Sequence, residues 1–327
     1  AYAERIEPEL RGAEQAKWLD ILEEEHGNLR RAFEYFLESD IEKCLNLSGA
    51  MHRLWSVHGH YTEGRKRLKN VLEKGSNASK TARAKALIPA ADLAWSQGDS
   101  DAACFYYEEC LKLSRETRDQ RKIAQACNGL GITRLNQNDF DIRPLLEESL
   151  QIGRELDDEP IVGVALMGLG ELARLEGKNA EARSFYEEIV TEARKGGDTF
   201  NLLYALFNLG SVSCMEGDAE TARKQFAESI SLAKDLGSIR AVADCLDGFG
   251  YVAAISENAE KAANLFGAAD ALRESVGFEI QTADRIFRDH FIEKAKNSIS
   301  ENAFTEFENQ GRKISMDDAV NLALENQ

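Results

Sequence analysis

Residues 127–170 read CNGLGITRLNQNDFDIRPLLEESLQIGRELDDEPIVGVALMGLG, a stretch that opens and closes on Gly-Leu-Gly. Between the two copies lie a polar turn and an apolar run at helical spacing. The same pattern recurs on both sides. A turn residue falls at Gly59, Gly98, Asn138, Gly177, Gly217 and Glu257, with spacings of 39, 40, 39, 40 and 40. Most of these are Gly or Asn, which tolerate positive φ. Upstream of the turns, Ala91, Gly131, Gly170, Gly210 and Gly250 recur in register. Downstream, Ala103, Ala182, Ala222 and Ala262 recur, followed four residues later by Tyr107, Tyr186, Phe226 and Phe266. Gly inside a helix costs about 1 kcal/mol relative to Ala, so glycines held in register imply a packing constraint. Small residues let paired helices approach, and the aromatic fills the space beside them. Self-similarity at such a period is the signature of a solenoid.

The composition agrees with a helical reading. Among 327 residues, 43% are hydrophobic, 30% are charged and only 4 are Pro, and no alternating β-branched run competes for a strand. The fold expected is all-α: a right-handed superhelical solenoid of antiparallel helix pairs with a period of about 40. A net charge of −17 with no Lys/Arg cluster argues against nucleic-acid binding by this chain. Six cysteines without C-x-x-C pairing fall mostly on apolar helix faces, which implies a reducing, cytoplasmic setting. No signal peptide or long apolar run is visible, and the start at Ala1 suggests an excised fragment.

Three regions are expected. Residues 1–40 form an N-terminal helical segment packing on the solenoid, 41–272 a repeat array of about six helix pairs, and 273–327 a C-terminal helical cap. Glu14 to Leu37 reads as one amphipathic helix, broken or bent near Gly27, and Ile41 to Val57 as the next. In the middle repeat Arg143-Pro144 replaces the register Ala. Proline fits only a first turn, so that helix starts late, with Asp141 as its N-cap. Pro89 is expected to kink or interrupt the helix around it. Ala283–Ser298 and Glu301–Gln310 read as helices, and Ser315-Met316-Asp317-Asp318 starts a last one through Leu324.

The sequence holds no phosphate loop, no H-E-x-x-H and no paired Cys/His metal spacing, so no catalytic, cofactor or metal residue is assigned and an enzyme is not expected. The Gly-Leu-Gly strings mimic the start of a dinucleotide fingerprint but recur with the repeat, so helix packing explains them better. His58 and His60 flank Gly59 with no third histidine nearby in sequence, and read as turn and surface residues. Glu108-Glu109, Glu147-Glu148 and Glu187-Glu188 recur at one repeat position, which marks an exposed helical face.

Over roughly Ile41 to Leu272 the pattern resembles the tetratricopeptide repeat, in which first helices line a concave face. The resemblance implies a ligand or partner surface at Asp92, Trp95, Gln125, Asn128, Glu171, Arg174, Tyr204, Phe207, Asp244, Asp247 and Tyr251. Ile132, Met167 and Ser211 fall on the same stripe. EPELRGAEQAKWLDILEEEHGNLRRAFEYFLE, LWSVHGHYTEGRKRL, LFGAADALRESVG and AFTEFENQGRKISMDDAVNLALE together resemble the C-terminal tetratricopeptide region of bacterial STAND-class signalling ATPases, including LuxR-type transcriptional regulators. That resemblance implies a non-catalytic sensor or scaffold arm of a larger protein, binding a protein or peptide partner, its own ATPase core or a second copy. A small-molecule inducer sensor and a self-association module are the alternatives.

Overall fold

Asp, Ser or Asn stands before most helices, and its side chain accepts the hydrogen bond of the amide three residues on. Asp40, Ser79, Asp99, Asp119, Asp158, Asp198, Asp218, Ser238, Asn258, Ser300 and Ser315 all cap in this way. Each cap satisfies an amide that the helix itself leaves orphaned. The computed structural model describes residues 2–11 and 14–325, so Ala1 and the extreme C-terminus lie outside the described residues. The N-terminal segment holds Tyr2–Ile6 (α1), Gln15–Glu24 (α2) and His26–Ser39 (α3). The array runs through Ile41–Ala50 (α4), His52–Val57 (α5), Tyr61–Lys74 (α6), Lys80–Ser96 (α7), Ser100–Thr117 (α8), Gln120–Asn136 (α9) and Arg143–Glu155 (α10). It continues through Glu159–Leu175 (α11), Asn179–Gly196 (α12), Thr199–Met215 (α13), Ala219–Asp235 (α14), Ile239–Ile255 (α15) and Ala259–Val276 (α16). Thr282–Lys296 (α17), Glu301–Gly311 (α18) and Met316–Leu324 (α19) follow. No strand occurs among the described residues, and the array is a tetratricopeptide-like solenoid.

Every turn expected to need positive φ has it: Gly59, Gly98, Asn138, Gly177, Gly217 and Glu257 lie between +61° and +81°. A second series closes the second helices, at Arg118, Asp157, Gly197, Gly237 and Gly277. Gly-Leu-Gly also acquires a reason. A Cβ on Gly210 would stand 2.6 Å from Phe226, and one on Gly248 would stand 2.5 Å from the same ring. Gly250 clears Phe266, Gly170 clears Tyr186 and Gly129 clears Tyr107. The second glycine of each string thus makes room for its own repeat's large side chain, and the first for that of the preceding repeat. Leu146, between Gly131 and Gly168, takes the aromatic's place in the irregular middle repeat.

Three local expectations need correction. The N-terminal helix breaks at Glu25 rather than Gly27, and α3 starts at His26. Helix α10 does start late, but Ile142 precedes it rather than Asp141. Ile142 is driven into the core, while the carboxyl of Asp139 accepts the Asp141 amide and so holds the exposed turn. Helix α7 runs through Pro89 without interruption, because its buried flank of Ala86, Leu87, Ala90 and Ala91 is held on both sides. In such a setting tertiary packing outweighs the proline penalty.

The end of the array meets its beginning. Val276 packs on the turn at Gly59, and Glu279 lies beside the turn at Gly98. The Glu279 amide donates to the Ser96 carbonyl at 3.0 Å, and the Gln281 side chain donates to the Trp95 carbonyl at 3.0 Å. Asn136 donates to Gln281 Oε1 at 3.3 Å. Residues 277–281 thus bridge α16 back to α7 and α9, and α17 then runs across the concave side against α15, α16 and α9. Capping of the last repeat falls to α18 and α19, with α18 crossing α16 where Gly267 and Gly311 bring the backbones together.

Candidate functional site

The first helices α7, α9, α11, α13 and α15 wind around a cavity of about 320 Å³, with α5 and the 277–284 segment completing its wall. The volume falls at the lower end of the range of small-ligand sites. Its lining follows from the repeat. Asn128, Met167, Phe207 and Asp247 each sit three residues before a register glycine, and Ile132, Glu171 and Tyr251 one residue after. These positions lie one above another on a helix, so successive first helices present one stripe each.

Of the residues named from the sequence, Asp92, Trp95, Gln125, Asn128, Glu171, Tyr204, Phe207, Asp244, Asp247 and Tyr251 all reach this cavity. Arg174 does not. It points to the concave side but lies beneath α17, stacked on Phe287 at 4.7 Å and 3.3 Å from Asp284. Ser211 is also outside the lining, its hydroxyl donating to the Phe207 carbonyl. Several lining groups are committed to protein partners. Asp92 accepts from the Tyr107 hydroxyl and lies 2.8 Å from His52. Tyr251 is stacked on Phe291 at 4.7 Å.

A buried ion network forms one wall. Arg273 donates to Asp244 at 2.9 Å and to Asp247 at 2.5 Å, and Arg288 bonds Asp247 at 3.0 Å and Asp270 at 2.9 Å. Asp247 is 1% exposed. A carboxylate so placed is tolerable only because two guanidinium groups surround it.

Arg240 is held differently. Its guanidinium lies 4.1 Å from the Phe278 ring, 5.2 Å from Trp95 and 5.4 Å from Tyr204, a cage that joins the array's end to its start. Its Nε lies 3.6 Å from Asp244 and makes no hydrogen bond. Trp95 Nε1 and Asn128 Oδ1, both on residues lining the cavity, are also buried without a partner. Each such group costs on the order of 1–3 kcal/mol.

Two carboxyls also line the cavity, Glu171 and Asp284, the latter accepting from the Arg174 guanidinium at 3.3 Å. Burial pushes the Glu171 carboxyl up to about 7, the Asp284 charge adds to this, and Arg174 and Arg240 oppose it. Asp284 is raised by burial as well. Its side chain is 37% exposed, but to the interior of a cavity walled by protein, so desolvation still dominates. Together they can receive a positively charged or hydrogen-bond-donating group.

Sequence reasoning missed Asp284, because nothing in the repeat announces that α17 enters the cavity. It also missed Pro160, Phe200 and Arg240, although these stand ten residues before Gly170, Gly210 and Gly250, on a continuation of the same stripe. The Gly-Leu-Gly strings lie in helices with no strand before them, so their dinucleotide look has no structural basis. Among the described residues no helix is long and apolar enough to cross a membrane.

The fold has relatives. A tetratricopeptide-repeat model matches residues 84–117, and a model of anaphase-promoting complex subunit 5 matches 157–205 and 194–247. No curated protein matches the chain. Among solved structures, the quorum sensor NprR of B. thuringiensis in its apo form aligns with a TM-score of 0.50 at 16% identity, covering 94% of this chain and 96% of that one. NprR in complex with its cognate peptide NprX aligns at 0.58 and 15% identity, covering 95% and 93%. A Rap protein complexed with Competence and Sporulation Factor aligns at 0.59 and 15%, covering 84% and 79%. At such identities the likeness is one of fold. The chain is a helical-repeat solenoid of the tetratricopeptide type.

Proposed function

We propose that the chain is a non-catalytic sensor that takes a short peptide, or a peptide-sized ligand, into its central cavity. The observation that carries this reading is the mixed polar and apolar lining of the cavity. Glu171 and Asp284 supply carboxyls, and Trp95, Asn128 and Arg240 supply indole, amide and guanidinium groups, among Ile132, Met167, Phe200 and Phe207. The carboxyls suit an ammonium or guanidinium group, the amide and indole groups suit a backbone, and the apolar side chains supply a platform. That one structure of similar fold is solved with its cognate peptide is consistent with this reading. A small-molecule inducer is the second reading, favoured by the bridge at 277–281, which covers part of the site.

The chain is further proposed to be the sensor arm of a larger STAND-class or LuxR-type regulator in the cytoplasm, with peptide binding coupled to assembly through differential affinity for two states. The four resembling segments support this context. Calorimetric titration with a library of short peptides, with and without a basic residue, tests the site. Binding of basic members that Glu171→Gln and Asn128→Ala weaken is expected. Binding that both variants leave unchanged would place the ligand elsewhere.

A further inference from the structure

Outside the cavity, the N-terminal segment brings together a second constellation. Glu23, near the end of α2, meets His26 at the start of α3 and His58 and His60 around the Gly59 turn. The fold brings His26 to the pair His58-Gly59-His60. His60 Nε2 lies 2.8 Å and His58 Nδ1 3.0 Å from Glu23 Oε2, and His26 Nδ1 lies 3.7 Å from Glu23 Oε1. One donor atom each from Glu23, His26 and His60 falls within a sphere where all lie within 4.8 Å of one another. Tetrahedral donors around a metal bound at about 2.0–2.1 Å stand about 3.3 Å apart, so the set closes with side-chain adjustments of up to about 1.5 Å.

His26 is 4% exposed, and its Nε2 is buried with no hydrogen-bond partner. Glu63 Oε1 stands 3.7 Å behind Nε2, and Arg30 and Arg67 hold that carboxylate. A ring that offers Nδ1 to a metal carries its proton on Nε2, facing Glu63, which is the arrangement by which an outer carboxylate orients a ligating imidazole. A hydrogen-bond network alone gives Glu23 its two donors but leaves His26 without a role.

We propose that Glu23, His26 and His60 bind a first-row divalent cation of the zinc type. Two imidazoles and one carboxylate suit zinc, whereas calcium and magnesium prefer all-oxygen shells. The site ties α2 and α3 to the first turn of the array. His58 packs against the turn at Gly237, so the clamp sits beside the seam where the array's first and fifth pairs meet. Half-exposed Glu23 leaves a path for entry.

The test uses the full chain without a histidine tag, stripped with a chelator and titrated with Zn²⁺ by calorimetry and with Co²⁺ by visible absorption. One equivalent of each is expected, the cobalt form showing the d–d bands of a low-coordinate nitrogen and oxygen site. His60→Ala and Glu23→Gln, checked for native helicity by circular dichroism, abolish that equivalent. Glu63→Gln weakens it about 10–100-fold, and the exposed His290→Ala leaves it unchanged. X-ray absorption at the zinc edge of the wild-type chain shows two imidazoles, independently of any variant's folding. No uptake of either metal, or uptake that persists in both His60→Ala and Glu23→Gln, overturns the proposal.

Discussion

Phe226 cannot turn away from one neighbour without meeting another, since Gly210 and Gly248 grip the same ring from two repeats. Gly210→Ala and Gly248→Ala gain about 1 kcal/mol of helix propensity but overpack a ring with nowhere to go. A net loss of about 1–3 kcal/mol is expected, read from the urea midpoint. Gly177 gives the contrast: nothing lies within 4 Å of a Cβ there, and its only demand is a φ of +74°. Gly177→Asn is expected to be nearly neutral in the same assay, because Asn138 holds the equivalent turn at +62°. The glycines were legible because they recur; which ring each one clears was not, because half of them serve the preceding repeat.

Glu171 supports a pH prediction. Its carboxyl titrates near 7 in the folded chain and near 4.5 when unfolded, so between these values the folded state holds more protons and stability falls as pH rises. Glu171→Gln removes that penalty. Its stability relative to wild type, read from thermal unfolding, is expected to rise between pH 5 and pH 8 by an amount on the order of 1–3 kcal/mol. An equal difference at both pH values would show that Glu171 is not the group responsible. A basic ligand that binds the ionised form should bind more tightly at pH 8 than at pH 6, and Glu171→Gln should flatten that dependence.

Helices in this chain are joined by two kinds of seam. On the outer surface Arg115–Glu148, Arg154–Glu188 and Arg194–Glu228 bridge successive second helices at 3.0, 2.9 and 2.8 Å. The Glu-Glu pairs read from the sequence as an exposed face supply two of the acids. All are solvent-screened, so Arg154→Ala and Arg194→Ala are each expected to cost less than about 1 kcal/mol in thermal unfolding. The inner seam is apolar and ionic, and far less forgiving. Phe278→Ala removes the ring that joins Arg240 to Trp95 and Tyr61. Faster amide hydrogen exchange in 277–296 is expected, with the outer helices α8, α10 and α12 unchanged; uniform loss of protection would mean that the bridge is part of the global core.

At this scale the sequence showed which helices exist and where the first-helix turns lie, since each has a local chemical signal. Arg118 and Asp157 carry left-handed turns with no such signal, and only Gly197, Gly237 and Gly277 in the same series were open to reading. Helix α17 was recognised as a helix but not as a wall of the cavity, because its destination depends on contacts with residues more than a hundred positions away.

For the whole molecule, a periodic sequence determines a superhelix, and the stripe beside the register glycines determines what that superhelix encloses. The first-helix stripe was therefore readable once the tetratricopeptide resemblance said which face is concave, whereas the residues that α5, the 277–284 segment and the first turn of each helix contribute were not. Binding at this cavity should leave a footprint on all five first helices. Saturating peptide is expected to slow hydrogen exchange in α7, α9, α11, α13 and α15 together, and protection confined to one pair would argue for a surface site instead.

The fastening of Val276 and Glu279 to the Gly59 and Gly98 turns has a mechanical consequence. An open coil answers load by stretching a little at every joint, so its response is graded. A coil whose ends are fastened has a fixed circumference, and bending at one joint must be compensated at the others until the fastening releases. Such a ring stays still below a threshold and then springs open as a unit. The few bonds between residues 278–281 and α7 would act as the trip point of a snap-action device, and their strength would set how much ligand it takes to fire.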